Sequence, residues 1–373
     1  MKDLVYLDYN ATTPVLPEVL EAVSRACLET YGNPSSSHLC GKRAKEVLED
    51  ARLKVARLIR AQPEEIVFLS GGTEANNLAI LGTVFRHPHG HVITSRIEHP
   101  SVLNPCVHLL EKGYDVTFLP VDAKGYVDPE DVRRNLRLDT RLVTIMLANN
   151  ETGALQPVSE IGKICREAGI PFHTDAAQAV GKIPVDVEEL YCDLLTIAGH
   201  KLYAPKGIGA LYVRRGYEPE NILFGAGQER GLRPGTEPVP LAAGLGMACE
   251  VARRDLPAEA ERERDLRERL YQGLREIFPP LVRHGDPART LPNTLSVSFP
   301  GHAGSEILAA LPELCASTGA ACHDRNVTIS HVLAAMGVPP EVAQGTLRLS
   351  LGRMTGLPEI ERVLSLFRRY FSR

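Results

Sequence analysis

Residues 65–85 read EIVFLSGGTEANNLAILGTVF, and this stretch decides the fold. Glu65–Ser70 is short, rich in β-branched residues and apolar on both faces, the pattern of a strand covered on both sides. Two glycines and a threonine follow, and Ala75–Phe85 then carries helical periodicity. The same unit recurs from about residue 45 to 215. Further strand-like runs are His91–Ser95, Asp115–Leu119, Leu142–Leu147, Pro171–Thr174, Asp193–Ile197 and Gly209–Val213, with amphipathic stretches such as Val158–Ala168 between them. Such alternation predicts a mainly parallel, seven-stranded sheet with helices on both faces.

The character of the chain changes near residue 250. Ala258–Phe278 reads as a long, charged, amphipathic helix suited to bridging lobes. Beyond it, Asn293–Phe299 and Thr346–Leu351 read as strands, and Ser305–Leu311 and Pro358–Tyr370 as helices. The expected organisation is a large α/β domain over residues 15–250. A smaller α+β domain is expected from residues 1–14 and 251–373.

Composition removes several function classes. The 373 residues suit a large enzyme subunit with an appended lobe, and 44% hydrophobic with 24% charged residues is a globular balance. A net charge of −4 argues against a nucleic-acid-binding surface, which needs a basic excess. No apolar run approaches the roughly 20 residues of a membrane span, and MKDLVYLDYN lacks a signal-peptide core. A cytoplasmic protein with neither a nucleic-acid nor a membrane partner is expected. The eight cysteines form no C-x-x-C pair and fit a reducing compartment. His87-Pro88-His89-Gly90-His91 reads as a turn before a strand, and no metal is expected.

Ligands of open α/β sheets bind beyond the carboxyl ends of the strands. There, Gly71-Gly72-Thr73 at a helix start offers free N–H groups and a helix dipole to a phosphate. No Gly-Lys-Ser/Thr follows, so this is not a P-loop, and Arg230 stands where a dinucleotide fingerprint after Gly225-Ala226-Gly227 needs glycine. A phosphate site with neither signature points to a phosphorylated cofactor such as pyridoxal phosphate. That cofactor requires a Schiff-base lysine, an acid beside the pyridine nitrogen and groups on the ring faces. Among ten lysines Lys201 is best placed, just past the strand DLLTI. Asp175 ends another strand, where an acid otherwise caps a helix. Gln178 can donate to the ring's phenolic oxygen, and His99 can stack on the ring. Cys322, in STGAACHDRN, is expected in a mobile loop beside His323 and Arg325, which favour its thiolate. Cys315, Cys192 and Cys249 sit among apolar neighbours and are expected to be buried and inert. Arg230–Glu237 reads as a rigid turn, either a solvated loop or an anion contact.

In order along the chain stand LDYNATTP, YGNPSSSH, SGGTEANNLAI, EH, ANNETG, HTDAAQAVGK, GHKLYAPKGIGALYVR, GAGQERGLRPGTE, LPNTLSVSF, STGAACH and LRLSLGR. This series resembles the pyridoxal-phosphate-dependent cysteine desulfurases of the NifS/IscS type, in the class V aminotransferase family, close to selenocysteine lyase. The resemblance implies the aspartate-aminotransferase-like fold (fold type I) and a homodimer with active sites at the subunit interface. It makes Lys201 the Schiff-base lysine, Asp175 the partner of the pyridinium nitrogen, His99 the stacking residue and Gln178 the donor to the phenolic oxygen. Thr73 and His200, beside Gly72, match phosphate contacts, and Thr236 matches one supplied by the neighbouring subunit. Asn150 would orient cofactor and substrate, and Arg348 matches the anchor of the substrate carboxylate. Cys322 matches the persulfide-forming cysteine, while Asn10 and Asn33 fall in segments bordering the substrate pocket.

The implied reaction converts L-cysteine to L-alanine and passes sulfur, as a Cys322 persulfide, to an acceptor protein such as an iron–sulfur scaffold. The competing readings are selenocysteine lyase acting on L-selenocysteine, a plain aminotransferase, and a non-enzymatic sulfur relay. Three places depart from the common desulfurase text. Ala198 stands where many relatives have serine; HDRNVTIS follows Cys322 in place of a serine-rich text, while Gly-Ala-Ala-Cys-His resembles the lyase version; and Pro100 after His99 fits neither subgroup.

Overall fold

The apolar runs assemble into one seven-stranded sheet in the computed structural model. It describes residues 4–318, 320–323 and 326–372, with 320–323 and 326–328 by their backbone alone. In chain order the strands are β1 (Ile66–Leu69), β2 (His91–Ser95), β3 (Asp115–Leu119), β4 (Thr140–Thr144), β5 (Phe172–Asp175), β6 (Leu194–Ala198) and β7 (Gly209–Val213). They lie side by side as β1-β7-β6-β5-β4-β2-β3. β7 is antiparallel to both neighbours, and every other pairing is parallel. All residues of β1, β2, β5, β6 and β7 are buried, so β1, β6 and β7 are mostly apolar, while the histidines of β2 and β5 are hydrogen-bonded to threonines inside the sheet. β4 stops at Thr144, short of the expected Leu147, because the Met146 N–H turns to the Glu98 carboxylate at 3.0 Å.

Helices cover both faces. The Val158–Ala168 helix lies as expected, and Gly162 lets it approach closely: a Cβ there would stand 2.1 Å from the Leu190 carbonyl oxygen. The helix expected over Ala258–Phe278 is the second half of a 39-residue helix, Val239–Ile277. Pro257 lies inside it and removes one hydrogen bond, yet the helix continues, because each half is held by its own core. Ala242, Leu245, Ala248 and Cys249 pack into the core of the large sheet. Leu266, Leu270 and Leu274 pack into a second core with Val5, Leu7, Leu347 and Phe367. The second core rests on a four-stranded sheet ordered Ser317–Thr318, Thr346–Ser350, Thr294–Ser298 and Val282–Arg283. Residue 250 therefore falls mid-helix, where the sequence alone shows a change of composition. Among the described residues no helix is long and apolar enough to cross a membrane.

The stretch expected as a loop around Cys322 is a hairpin. Ala320–His323 pairs antiparallel with Asn326–Ile329, and Cys322 stands opposite Val327. Val327, Thr328 and Ile329 are β-branched and favour extended backbone, a signal the small residues before Cys322 obscure. The side chains of Cys322 and His323, and Arg325 altogether, lie outside the described residues.

The other cysteines divide by burial. Cys106, Cys165, Cys192 and Cys249 are buried, and burial pushes the Cys106 and Cys165 thiols up to about 12. Cys315 is half-buried rather than fully enclosed, because its strand pairs on one side only, with Val5–Tyr6.

Candidate active site

Three strands and one helix deliver side chains to the carboxyl rim of the large sheet. β2 leads to His99, β5 ends on Asp175, β6 leads through Gly199 to Lys201, and the Gly72–Val84 helix starts three residues after β1. Between them lies a cavity of about 290 Å³, lined by Gly72, Thr73, His99, Asn150, Asp175, Gln178, His200 and Lys201. Residues as distant in sequence as Gly72 and Lys201 thus share one space. Asn76 and Ser101 also line it, and sequence reading missed both. The available signal was an asparagine on an otherwise apolar helix, where its amide must find partners.

The Lys201 amine donates to the backbone carbonyls of Asn10 at 2.5 Å and Ala11 at 2.8 Å. Burial, and then the Arg348 guanidinium, push its pKa down to about 8, with Asp175 and Asp8 opposing. A large share of neutral amine is therefore present near pH 8, which an ordinary lysine does not offer.

Asp175 is buried and fixed at both oxygens. It accepts from Asn76 Nδ2 at 2.7 Å and from the Ala177 N–H at 2.9 Å. Asn76 Nδ2 also donates to Ser101 Oγ at 2.8 Å, and Ser101 Oγ lies 2.7 Å from His99 Nδ1. The Ser101 N–H donates to that same Nδ1 at 3.1 Å, so the proton of the neutral ring sits on Nε2. The ring opens to solvent across the cavity, yet desolvation by the protein around it outweighs Asp175 and lowers its pKa. His99 caps the Pro100–Glu111 helix, which explains Pro100: at the first helical position a missing N–H costs nothing.

At the opposite end the Gly72–Val84 helix starts against Ala198. A Cβ on Gly72 would come within 3.2 Å of the Ala198 Cβ, so both small residues keep this corner open. His200 Nδ1 lies 3.1 Å from Thr12 Oγ1, and burial followed by Lys201 pushes its pKa down to about 4, leaving it neutral.

Arg348 stands behind Asn150. Its Nη1 donates to the Asn150 carbonyl at 3.0 Å, and its Nη2 to Asp8 at 2.7 Å and to Ser317 Oγ at 2.9 Å. Its buried Nε has no partner among the described residues. Asp8 went unread in the sequence because a strand-end acid has no local mark of its partner 340 residues away. Asn10 is buried and joins the lobes, donating to Thr294 Oγ1 at 2.8 Å and to the Asn150 carbonyl at 3.2 Å. Asn33 and Thr236 are exposed and line no wall of this cavity. Arg230–Glu237 is anchored by its neighbour Glu229, which meets Arg52 at 2.7 Å and accepts from the Phe68 N–H at 2.8 Å. His91 is occupied by two threonine hydroxyls, Thr117 at 2.7 Å and Thr140 at 3.0 Å.

The residues present fit pyridoxal phosphate. A depressed amine, a fixed carboxylate and a helix start line one cavity, and Asn76, which also lines it, keeps a buried Oδ1 with no partner among the described residues. Lys201 would carry the cofactor, Asp175 would face its ring nitrogen, and Gly72, Thr73 and His200 would surround its phosphate.

Comparison with known proteins adds the following. The family described as aminotransferase class-V matches residues 5–363. The chain is 46% identical over 366 residues to the cysteine desulfurase IscS of Methanosarcina thermophila, covering 97% of this chain and 90% of the relative. A solved NifS-like protein superposes with a TM-score of 0.92 at 38% identity, covering 99% of each chain. A structure of SspA in complex with cysteine superposes with a TM-score of 0.83 at 39% identity, covering 93% of this chain and 98% of that one.

Proposed function

The chain belongs to the aminotransferase class-V family, and on that premise we propose that it is a pyridoxal-phosphate-dependent cysteine desulfurase. It converts L-cysteine to L-alanine and passes the sulfur on as a persulfide. The observation that carries this reading is the meeting of Lys201 and Asp175, from the ends of adjacent parallel strands, in one cavity beside a helix start.

The bound cofactor supplies an electron sink for the substrate's Cα. Asp175, pinned by Asn76 and Ala177, holds the proton on the ring nitrogen. Arg348 binds the substrate carboxylate, and Asp8 and Ser317 aim the guanidinium. Lys201 would take the Cα proton as a base with pKa about 8. His99, neutral with its proton on Nε2, moves protons at the exposed side of the cavity. The Cys322 thiolate attacks the substrate sulfur. An S–S bond forms, and the Cβ–S bond breaks with its electron pair left on carbon. That carbon takes up a proton and alanine departs.

A homodimer accounts for the residues left outside the cavity. Thr236 and Asn33 are exposed, and near them stand the exposed side chains of Phe224 and Tyr31. A second subunit would cover these and receive Thr236 at its phosphate end. Sedimentation at the mass of one chain would refute this. The cytoplasm as location, and an iron–sulfur scaffold or similar protein as sulfur acceptor, complete the proposal.

The direct test supplies L-cysteine and a thiol reductant to the purified protein. Equal amounts of alanine and sulfide are expected. 3-Mercaptopyruvate as the product, with a cofactor restored only by a keto acid, would make it an aminotransferase instead. Arg348→Lys keeps the charge but loses the planar fork, and about a 10- to 100-fold rise in KM for cysteine is expected. A KM unchanged by this substitution would remove Arg348 from carboxylate binding.

A further inference from the structure

Lys182 takes no part in the chemistry above, yet its amine ends among the groups that shape the cavity. It donates to Gln178 Oε1 at 2.8 Å and to Asn10 Oδ1 at 3.1 Å. A carboxamide has one accepting and one donating end, and its two orientations are nearly equal in shape. An ammonium only donates, so the accepting end of each amide must face Lys182. For Gln178 this turns the NH₂ group to the Asn10 carbonyl at 2.9 Å, the same carbonyl that accepts from Lys201. Asn10 Oδ1 is held from a second side by Asn293 Nδ2 at 3.1 Å.

We propose that Lys182 is a positioning residue that sets the polarity of the Gln178 and Asn10 amides, so that Gln178 presents an N–H rather than an oxygen to the cofactor's phenolic oxygen. The inference rests on the desulfurase reading and on Gln178 facing that oxygen. Lys182 is half-buried, and Glu263 of the Val239–Ile277 helix attracts its charge, while Lys201 and Arg348 repel it. Burial is the larger effect and pushes its pKa down to about 7. A neutral amine keeps two N–H groups, one for each amide oxygen, and the Asn10 carbonyl and Asn293 Nδ2 favour the same orientation from the other side.

The test uses the holoenzyme and reads the pH titration of the cofactor's visible absorption band without substrate, alongside kcat and KM. In Lys182→Met the Gln178 oxygen loses its donor and only the Asn10 carbonyl still holds the NH₂ end, so the preference for presenting an N–H to the phenolate is weakened. The midpoint of the band should rise by about one unit or more. A fall in kcat of about ten-fold, with KM within about three-fold of wild type, is expected. Lys182→Arg, which also only donates, should restore most of both. In a Gln178→Ala background, Lys182→Met should add no further shift of the midpoint. Should Lys182→Met not fold, Lys182→Gln should show the same upward shift at smaller size. An unmoved midpoint overturns the proposal, and so does a shift that persists undiminished without Gln178, since charge alone would then be responsible. A wild-type protein that binds no cofactor fails the desulfurase reading itself and takes this inference with it, whereas a normal wild-type titration with an unmoved variant sinks this inference only.

Discussion

Lys201→Ala is expected to abolish covalent retention of the cofactor and to lower alanine formation by about 10,000-fold, the upper range for loss of a positioned base. Borohydride reduction should fix the cofactor to wild-type protein and leave Lys201→Ala unlabelled. The physical basis is the combination of burial and the Arg348 charge, which disfavours the ammonium and holds the amine at about 8. The sign follows directly: a lowered pKa means more neutral amine at a given pH. In cofactor-free protein, acylation of Lys201 should therefore rise with a midpoint near 8, well below that of an ordinary lysine. A Lys201→Ala protein that still desulfurates cysteine at the wild-type rate would refute the assignment, and a midpoint above 10 would refute the electrostatic account.

Cys322→Ala is expected to separate the two halves of the reaction. The variant should bind the cofactor and keep its visible band. Cα–H exchange of cysteine with deuterated solvent should continue, because that step belongs to Lys201. Alanine formation from cysteine should fall by about 1,000-fold or more, since no thiolate remains to take the sulfur. With selenocysteine the loss should be much smaller, because a selenolate leaves more readily than a thiolate. Alanine produced from cysteine at an undiminished rate would show that the sulfur takes another route.

Much of this protein is legible from its residues. Strands buried on both faces carry apolar residues throughout, and that regularity marks the seven strands and their mainly parallel pairing. The rim of such a sheet is where ligands sit, so residues at or just beyond the strand ends, His99, Asp175 and Lys201, stand out in the sequence. Local grammar failed where packing overrides it. The helix expected from Ala258 starts at Val239, because cores gripping both ends of the Val239–Ile277 helix carry the chain through Pro257. The small residues before Cys322 read as a loop, but the β-branched partner strand pairs with them.

The sheet, the cofactor class and the proposed cofactor lysine are readable in the chain alone, because each leaves a pattern within a few consecutive residues. The supporting contacts appear only once the chain is folded: Asn76 linking Asp175 to Ser101, Asp8 bonded to Arg348, and Lys182 bonded to Gln178 and Asn10. Several of these join residues far apart in the chain, 99 positions for Asn76 and Asp175 and 340 for Asp8 and Arg348. A hydrogen bond depends on distance and direction in space, and no periodicity along the chain records either.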